Sequence, residues 1–523
     1  MSVDKDEIIS IMSHRKNLKF KLVLESLLIG IIVGGIIVLN RLLINKLTPY
    51  FMKLYKGVEG NVFDYIKVFG ILVLVGLFVG FLVKREPMIS GSGIPQVEGI
   101  LMKSLSINWL KVLIYKFVGG TLSLATGLSV GREGPSVQIG AAVGQGFSKV
   151  CRRINIEEKF LITSGASAGL SAAFNAPISG VIFALEEVHK NFSPLVLLSA
   201  MAASLAADFV CKQFLGVAPA MEFTGVNMFP LKYYWSLLLL GILVGITGII
   251  FNKGILASQK IYEIFKKIPT EIKMVVPFIC AGLVGILTPI LLGGGHELIM
   301  SLVTKGFTIK ILLFFLIIKY IFTLISFGSG APGGIFFPLL VLGALVGNIY
   351  GIFISDFFGL PKEFIVNFII LAMAGHFASI VKAPITGIIL ITEMTGSFEH
   401  LLALAFVVII SYLTADIFKS RPIYDSLLER ILMKGNNSTK AYRGSKTLLE
   451  KCVCMGSYAE GRYVSEVKWP KNSLLVSIKR GDREIIPKGD TKIDSGDFLV
   501  LLINENNARE ALVEIDKLAS KVY

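Results

Sequence analysis

Long apolar segments separated by short polar ones fill the first 430 residues of the chain. A helix needs about 20 apolar residues to cross the ~30 Å hydrocarbon core of a bilayer. Segments of that length lie at 22–43, 64–84, 109–130, 194–214, 233–252, 272–293, 308–327 and 401–417. Shorter segments, or segments interrupted by Gly and Pro, lie at 135–150, 161–187, 336–356, 366–380 and 384–395. The pattern predicts an all-α, polytopic membrane domain over 22–430 that contains broken helices.

Broken helices inside a membrane have a functional implication. Non-helical backbone at membrane depth is tolerated only where it is buried in protein or lines a polar cavity. The Gly- and Pro-rich junctions therefore favour a transport protein, and proline kinks within ordinary spans are the alternative.

The pattern changes after residue 440, where charged residues become frequent and apolar runs become short. Two strand-like runs, Ser473–Ile478 and Phe498–Ile503, alternate with turn sequences rich in Gly, Asp and Pro. A helix fits Asn507–Ser520. These features predict a small soluble α+β domain over 446–523, joined to the membrane domain by a polar linker over 431–445.

The composition excludes two other classes of protein. Hydrophobic residues make up 54% of the 523 residues and charged residues only 17%, whereas soluble domains have about 45–50% and about 25%. A soluble monomer of this composition would expose too much apolar surface, and disordered chains have the opposite bias.

The formal charge of +15 belongs almost entirely to the first 440 residues. Basic side chains just before the first apolar segment indicate a cytoplasmic N-terminal segment over 1–21; they are Arg15, Lys16, Lys19 and Lys21. Because the charge lies in loops and at the flanks of spans, nucleic acid is not an expected partner. The five cysteines lack the four-ligand pattern of structural zinc, and no metal site is predicted.

Two internal matches indicate that the membrane domain is a duplication. Gly131–Gly144 aligns without gaps on Gly334–Gly347, with six identical positions. Ala176–Ile182 aligns on Ala383–Ile389 in the same order. Both matches fall on broken helices, so chance similarity is a poor explanation.

Repeats over 22–215 and 230–430 are expected to hold a substrate at their interface near the membrane midplane. Three Gly/Pro-rich helix starts suit that place: Gly91-Ser-Gly-Ile-Pro95, Gly131-Arg-Glu-Gly-Pro135 and Gly334-Ile-Phe-Phe-Pro338. Pro is favoured in a first helical turn, and the free N–H groups of a helix start attract anions. The motifs predict a site for a dehydrated monovalent anion, with ordinary helix breaks as the alternative. A phosphate-binding loop is excluded because no Lys-Ser/Thr follows the glycines.

Glu133 carries the sharpest functional signal. A carboxylate at membrane depth is costly and indicates function. Beside an anion-attracting helix start, the charged carboxylate can occupy the anion site itself, and the protonated one would move aside. This predicts a gate at which anion and proton compete. A structural ion pair with Arg132 or with a loop lysine is the alternative, although adjacent residues of a helix, such as Arg132 and Glu133, do not face each other.

Three further polar residues, Glu186, Glu187 and Tyr424, each allow a structural and a functional interpretation. From the residues alone, an interfacial charged cap after Phe174–Leu185 is one interpretation of Glu186 and Glu187, and a functional role is the other. Tyr424 either donates its phenolic O–H to an anion in the pathway or belongs to an interfacial aromatic belt.

The three motifs, in this order and spacing, resemble the anion-filter motifs of the CLC family of chloride channels and proton-coupled chloride transporters. The resemblance covers residues 20–430. It implies a membrane domain of two inverted-topology repeats, and a homodimer in which each subunit has its own pathway.

The same resemblance implies roles for single residues. Chloride would be bound by the hydroxyls of Ser92 and Tyr424 and by the backbone N–H groups of Gly134, Ile335 and Phe336. Serine rather than proline at position 92 matches members that prefer chloride over nitrate. The other filter-motif positions are Gly91, Gly93, Ile94, Pro95, Gly131, Arg132, Pro135, Gly334, Phe337 and Pro338.

Glu133 corresponds to the gating glutamate of the family. Glu187 falls on its internal proton-transfer glutamate, which the channels of the family generally lack. Gln96, where several members carry an acid, lies outside the filter. The resemblance favours voltage-independent or weakly gated Cl⁻/H⁺ antiport. A passive voltage-gated chloride channel is the first alternative, and a membrane sensor that works through the C-terminal domain is the second.

Residues 446–523 resemble the TrkA C-terminal type of regulatory domain through Ile486-Pro-Lys-Gly-Asp490 and Asp494-Ser-Gly-Asp497. This implies control by a small regulatory ligand, or stabilisation of a dimer. The whole chain is expected to be a multi-pass cell-membrane protein with both termini cytoplasmic, neither an enzyme nor a cofactor protein. Its expected partners are chloride, protons, the lipid bilayer and a second copy of the chain.

Overall fold

A computed structural model describes residues 5–58, 61–221, 223, 228–265, 267–434, 446–471, 473–481, 483–504 and 508–520. The chain divides into two compact units, Met1–Arg430 and Ile431–Tyr523. The named secondary-structure elements of the first unit are all helices within the described residues, and the second unit contains a sheet, so the predicted fold class is confirmed.

Helices of the first half of the membrane unit have counterparts in the same order in the second half. The first set is α1 (Lys5–Lys56), α2 (Val62–Arg85), α3 (Ile94–Leu101), α4 (Trp109–Ala125), α5 (Glu133–Val150), α6 (Asn155–Phe174), α7 (Pro177–Phe183) and α8 (Pro194–Leu215). The second set is α9 (Tyr234–Ile264), α10 (Thr270–Leu287), α11 (His296–Thr304), α12 (Ile309–Gly328), α13 (Phe336–Phe358), α14 (Ile365–Val381), α15 (Pro384–Thr395) and α16 (Leu401–Ile417).

A further helix, α17 (Ile423–Lys434), follows the two sets. It continues four residues into the predicted linker 431–445, so the start of that linker is helical rather than irregular. Residues 435–445 lie outside the described residues. At the other end of the chain, α1 begins at Lys5 and is continuous with the first span, so most of the predicted N-terminal segment 1–21 is also helical.

Within the described residues, eight helices are long and apolar enough to cross a membrane, judged by length and composition. They are Lys19–Lys56, Val62–Arg85, Pro194–Leu215, Leu231–Ile264, Thr270–Leu287, Ile309–Gly328, Phe336–Phe358 and Lys362–Val381. Two expectations need correction. The segment 109–130 is helical only to Ala125, because Gly127 adopts a φ of +88° and ends the helix. The segments 336–356 and 366–380, expected to be short or broken, are continuous.

The glycines inside these continuous helices serve close packing. A Cβ placed on Gly347 of α13 would lie 2.4 Å from the carbonyl oxygen of Phe368 on α14. In the first repeat, a Cβ on Gly140 of α5 would lie 2.0 Å from the carbonyl oxygen of Gly165 on α6. Small residues that let two backbones approach are typical of membrane helix packing. The two repeats therefore share one packing device, in agreement with the internal sequence match.

The second unit contains one antiparallel sheet with the strand order β1-β4-β2-β3. Its elements are β1 (Lys446–Cys452), β2 (Leu474–Arg480), β3 (Arg483–Ile485), β4 (Phe498–Asn504) and α18 (Ala508–Ala519). Apolar residues of the sheet and of α18, including Ile478, Leu499 and Ile515, form its core. The sequence predicted β2, β4 and α18 and missed β1 and the three-residue β3.

Candidate anion pathway

The three sequence motifs meet through backbone hydrogen bonds. Gly131 N–H donates to Gly334 O at 2.6 Å, and Gly334 N–H donates to Gly131 O at 2.7 Å. Gly91 N–H donates to Gly330 O at 3.2 Å, and Gly333 N–H donates to Gly91 O at 3.0 Å. The structure thus joins motifs that are separated by more than 200 residues into one junction between the repeats.

Three helices begin at this junction. α3 begins after Gly93, whose φ of +97° favours glycine, while α5 begins at Glu133 and α13 at Phe336. The first N–H groups of a helix have no partner within it, and that end carries roughly half a positive charge. Pro95, Pro135 and Pro338 lie in the first turns, as predicted. Backbone donors from both repeats therefore converge on one place.

Two side-chain hydroxyls lie at the same place. Ser92 is 2% exposed and Tyr424, on α17, is fully buried. The Tyr424 hydroxyl lies next to Ser92 and within electrostatic range of Glu133 and Glu187. The contact between the two hydroxyls falls short of a regular hydrogen bond, and neither has another partner within the described part of the chain. Buried hydroxyls usually have partners, so two adjacent ones without them point to a ligand that accepts hydrogen bonds.

Backbone groups predicted to bind the anion lie beside these hydroxyls. A Cβ on Gly134 would lie 2.4 Å from Ser92 Oγ, and one on Gly334 would lie 3.1 Å from Gly134 N. Ile335 and Phe336 are fully buried. Phe336 packs against Phe377 with ring centroids 4.7 Å apart, which encloses the site in apolar surface.

The carboxylate of Glu133 is fully buried at the start of α5. A Cβ on Gly131 would lie 2.2 Å from Glu133 Oε2 and 3.1 Å from the amide nitrogen of Phe337. The carboxylate is thus close to the first turn of α13, and neither of its oxygens has a regular hydrogen bond to the described residues. Arg132 Nε is 4.0 Å from Glu133 Oε1, an ion-pair contact that is too long for a hydrogen bond.

A cavity of about 440 Å³ opens on this carboxylate. Its lining includes Glu133, Phe337, Arg132, Arg41 and the glycine run 293–295. Arg41, on α1, is anchored by its Nη1, which donates to Asn175 Oδ1 at 2.7 Å. Two guanidinium groups beside the carboxylate give this mouth of the pathway a positive character that suits an anion.

Glu187 lies in the π-helical segment Ala184–His189, which continues α7. It is 5% exposed, and its Oε1 has no hydrogen-bond partner among the described residues. Its neighbour Glu186 points elsewhere, because it accepts hydrogen bonds from the Ile385 and Thr386 N–H groups at 3.2 and 2.7 Å. Glu186 therefore caps α15, a helix of the other repeat, whereas Glu187 is buried, so the two adjacent carboxylates have different surroundings.

Sequence reasoning missed two buried lysines that support the loops of the pathway. Lys116 Nζ donates to the carbonyl oxygens of Ile89 and Gly91 at 2.8 and 2.6 Å. Lys319 Nζ donates to those of Leu291 and Gly293 at 2.9 and 2.6 Å. The two lysines are as far apart in sequence as Gly131 and Gly334. Extending the internal alignment to charged residues inside apolar runs would have found them.

In the described residues, no group of three or more His, Cys, Asp or Glu side chains is placed to hold a metal ion. The candidate pathway contains backbone N–H groups, two hydroxyls, the buried carboxylate of Glu133 and the guanidinium groups of Arg41 and Arg132. Fold and site together define a class of membrane transport protein, made of two inverted repeats with a buried polar junction where their broken helices meet.

Comparison with known proteins places the chain within that class. The profile of the family described as voltage gated chloride channel matches residues 75–416, and the profile of the TrkA-C domain matches residues 454–515. The chain belongs to this family, the CLC channels and transporters, and carries a TrkA-C domain.

Relatives of the chain include proteins called H(+)/Cl(-) exchange transporter ClcA, from Salmonella paratyphi A and Salmonella typhimurium. Each is 36% identical over 373 residues, which are 70% of this chain and 78% of the relative. The crystal structure of a slow cyanobacterial Cl-/H+ antiporter is 29% identical, with a TM-score of 0.73 over 79% of this chain and 99% of that chain. A eukaryotic CLC transporter, 22% identical with a TM-score of 0.65 over 79% of this chain and 74% of that chain, shares the fold.

Proposed function

We propose that the protein exchanges chloride for protons across the cell membrane, in a voltage-independent or weakly gated manner. Chloride passes between the first turns of α3, α5 and α13. Glu133 alternates between the anion path and a protonated state, and Glu187 relays protons on the cytoplasmic side. The names of the Salmonella relatives and of the cyanobacterial antiporter support this pairing of ions.

The buried carboxylate of Glu133 is the observation that carries the proposal. It lies where the helix starts of both repeats attract negative charge, so carboxylate and chloride compete for one place. Protonation removes the charge and with it the attraction to the helix starts. Occupation of the site by chloride is thereby linked to the protonation state of Glu133, and this linkage provides the coupling between the two ions.

Flux measurements on the full-length protein in liposomes test the exchange directly. With a chloride gradient and no initial proton gradient, we expect protons to move in the direction opposite to the chloride flow and to build up a proton gradient, recorded by a pH electrode beside a chloride electrode. Chloride flow without proton movement would contradict exchange and favour the first alternative, a passive chloride channel.

Two variants test the assigned roles. Glu133→Gln is expected to abolish proton movement, because an amide cannot exchange a proton. Glu187→Gln is expected to abolish proton movement while chloride still flows. Glu363→Gln, at an exposed carboxylate, is the matched control and should leave both fluxes unchanged. Loss of chloride flux in Glu187→Gln would assign Glu187 a structural role.

The proposal also covers the cellular location of the protein, its assembly as a homodimer and the role of its C-terminal domain. The basic residues before the first span support cytoplasmic termini, and family resemblance supports a homodimer with one pathway in each subunit. The TrkA-C domain would bind a small regulatory ligand or stabilise that dimer. Deletion of 446–523 should leave chloride flux in place; its loss would favour the sensor alternative.

A further inference from the structure

Lys190 joins three elements of the pathway. It follows the π-helical segment that carries Glu187 and adopts a φ of +55°. Its Nζ donates to Glu98 Oε1, on α3, and to Asp425 Oδ1, on α17. One ammonium group thus connects the segment of the internal carboxylate to two helices from different parts of the chain.

Each helix is next to, or carries, an anion-binding hydroxyl of the proposed function. α3 has eight residues and begins at Ile94, two residues after Ser92, and Glu98 is near its end and only 1% exposed. Asp425 directly follows Tyr424 in the first turn of α17. The two bonds from Lys190 therefore keep Ser92 and Tyr424 in contact, although Lys190 itself touches neither hydroxyl in the hydrogen bonds described. If α17 moved away from α3, at least one carboxylate would lose its cation.

The charges around Lys190 are unbalanced. The groups that act electrostatically on Glu187 are Lys190, Glu98, Asp425 and the adjacent Glu186. When Glu187 is protonated, Lys190 is shared by two carboxylates. When Glu187 gives up its proton, a third carboxylate attracts the same ammonium group and repels Asp425, which is the more exposed of the two partners. Ionisation of Glu187 therefore weakens the hold of Lys190 on α17.

We propose that Lys190 is a positioning residue of the exchange cycle, which holds Tyr424 against Ser92 while Glu187 is protonated and releases α17 when Glu187 is charged. This inference rests on the proposed function. In this mechanism the protonation state of Glu187 controls the inner end of the anion path, because Lys190 holds α17 less strongly when Glu187 is charged.

Variants of Lys190 in the full-length protein test this role through the ratio of proton to chloride flux. Lys190→Met removes the ammonium group that holds α17. Because Glu98 and Asp425 then lose their shared cation, we expect the ratio of proton to chloride flux to fall about tenfold. Chloride flux should be maintained or increased. Lys190→Arg keeps the charge and should keep the ratio. Lys362→Met, at an exposed lysine paired with Asp356, is the matched control.

Asp425→Asn weakens one of the two bonds and keeps the buried Glu98 pair, so it provides the test if Lys190→Met does not fold. We expect an intermediate ratio. A merely structural role would reduce both fluxes in proportion and leave the ratio unchanged in both variants, which would overturn the inference. A wild-type protein that moves no protons would overturn the proposed function itself, whereas a coupled wild type with equally coupled variants would overturn the role of Lys190 alone.

Discussion

Gly131 and Gly334 occupy equivalent positions in the two repeats and donate a backbone hydrogen bond to each other, at 2.6 and 2.7 Å. At membrane depth every backbone polar group needs a partner inside the protein. The two repeats meet this need by pairing at the point where their helices break. Pairing of the two glycines therefore allows non-helical backbone beside α5 and α13 without exposing it to lipid.

Substitution of Gly131 should disturb the gate more than the fold. In Gly131→Ala the new Cβ would lie 2.2 Å from Glu133 Oε2, so the carboxylate must leave its place near α13. Overpacking at such a site costs about 1–3 kcal/mol. We expect faster chloride flux and a lower proton to chloride ratio in the liposome assay.

Gly35→Ala in α1 is the control, because its Cβ would meet no atom within 4 Å, and it should behave as the wild type. An unchanged flux ratio in a folded Gly131→Ala protein would contradict the assignment of Glu133 as the gate.

Removal of the two hydroxyls should weaken anion binding without destabilising the protein. Ser92→Ala and Tyr424→Phe delete groups that have no regular hydrogen bond in the described structure, so the free energy of unfolding should change little. A hydrogen bond to a charged group contributes about 1.5–3 kcal/mol, so each variant should lose about tenfold or more in chloride affinity. Calorimetric titration of the purified protein with chloride measures the affinity, and thermal unfolding without chloride measures the stability. Equal affinity in wild type and both variants would place the anion elsewhere.

Much of the membrane domain could be predicted because hydrophobic length and glycine pattern are local properties of the sequence. The junction could be predicted as well, since Gly131-Arg-Glu-Gly-Pro135 and its counterpart at Gly334 record the duplication. The continuous α13 was misjudged, because a glycine in a helix either breaks it or lets a neighbour approach. Only the position of α14 against Gly347 decides between these two outcomes.

The partners of buried charges could not be predicted from one sequence. Glu186 and Glu187 are adjacent in sequence, yet Glu186 caps a helix of the other repeat and Glu187 is buried without that contact. Lys190 is close to neither of its carboxylates in sequence. Such pairs depend on how distant helices cross, and a hydropathy pattern contains no information on that geometry.

Reciprocal helix caps between the repeats should contribute equally to stability. Glu186 accepts from the Ile385 and Thr386 N–H groups, and Glu393, its counterpart, accepts from those of Ile178 and Ser179 at 3.0 and 2.7 Å. Loss of an N-terminal cap costs about 0.5–2 kcal/mol. Glu186→Ala and Glu393→Ala should therefore lower the thermal unfolding temperature in detergent by similar amounts. A change in only one variant would show that the caps are not equivalent.

The C-terminal unit depends on one buried carboxylate. Asp497 is fully buried and accepts from Arg480 Nε and Nη2, both at 2.7 Å, and from the Asp494 N–H at 2.8 Å. Hydrogen bonding to Asp497 raises the pKa of Arg480 above its ordinary value. A raised pKa of a basic group stabilises the folded state until the pH exceeds that pKa. The contribution of Arg480 should therefore be constant from neutral pH to pH 9.

Arg480→Met leaves Asp497 with a buried charge and only a backbone partner, which costs about 1–3 kcal/mol. We expect the C-terminal unit of the full-length protein to be cleaved faster in limited proteolysis, to the same degree at pH 7 and pH 9. Arg483→Met, at an exposed position on β3, should be cleaved at the wild-type rate. If Arg480→Met resisted the protease as well as Arg483→Met, the sheet would be held together by its apolar core alone.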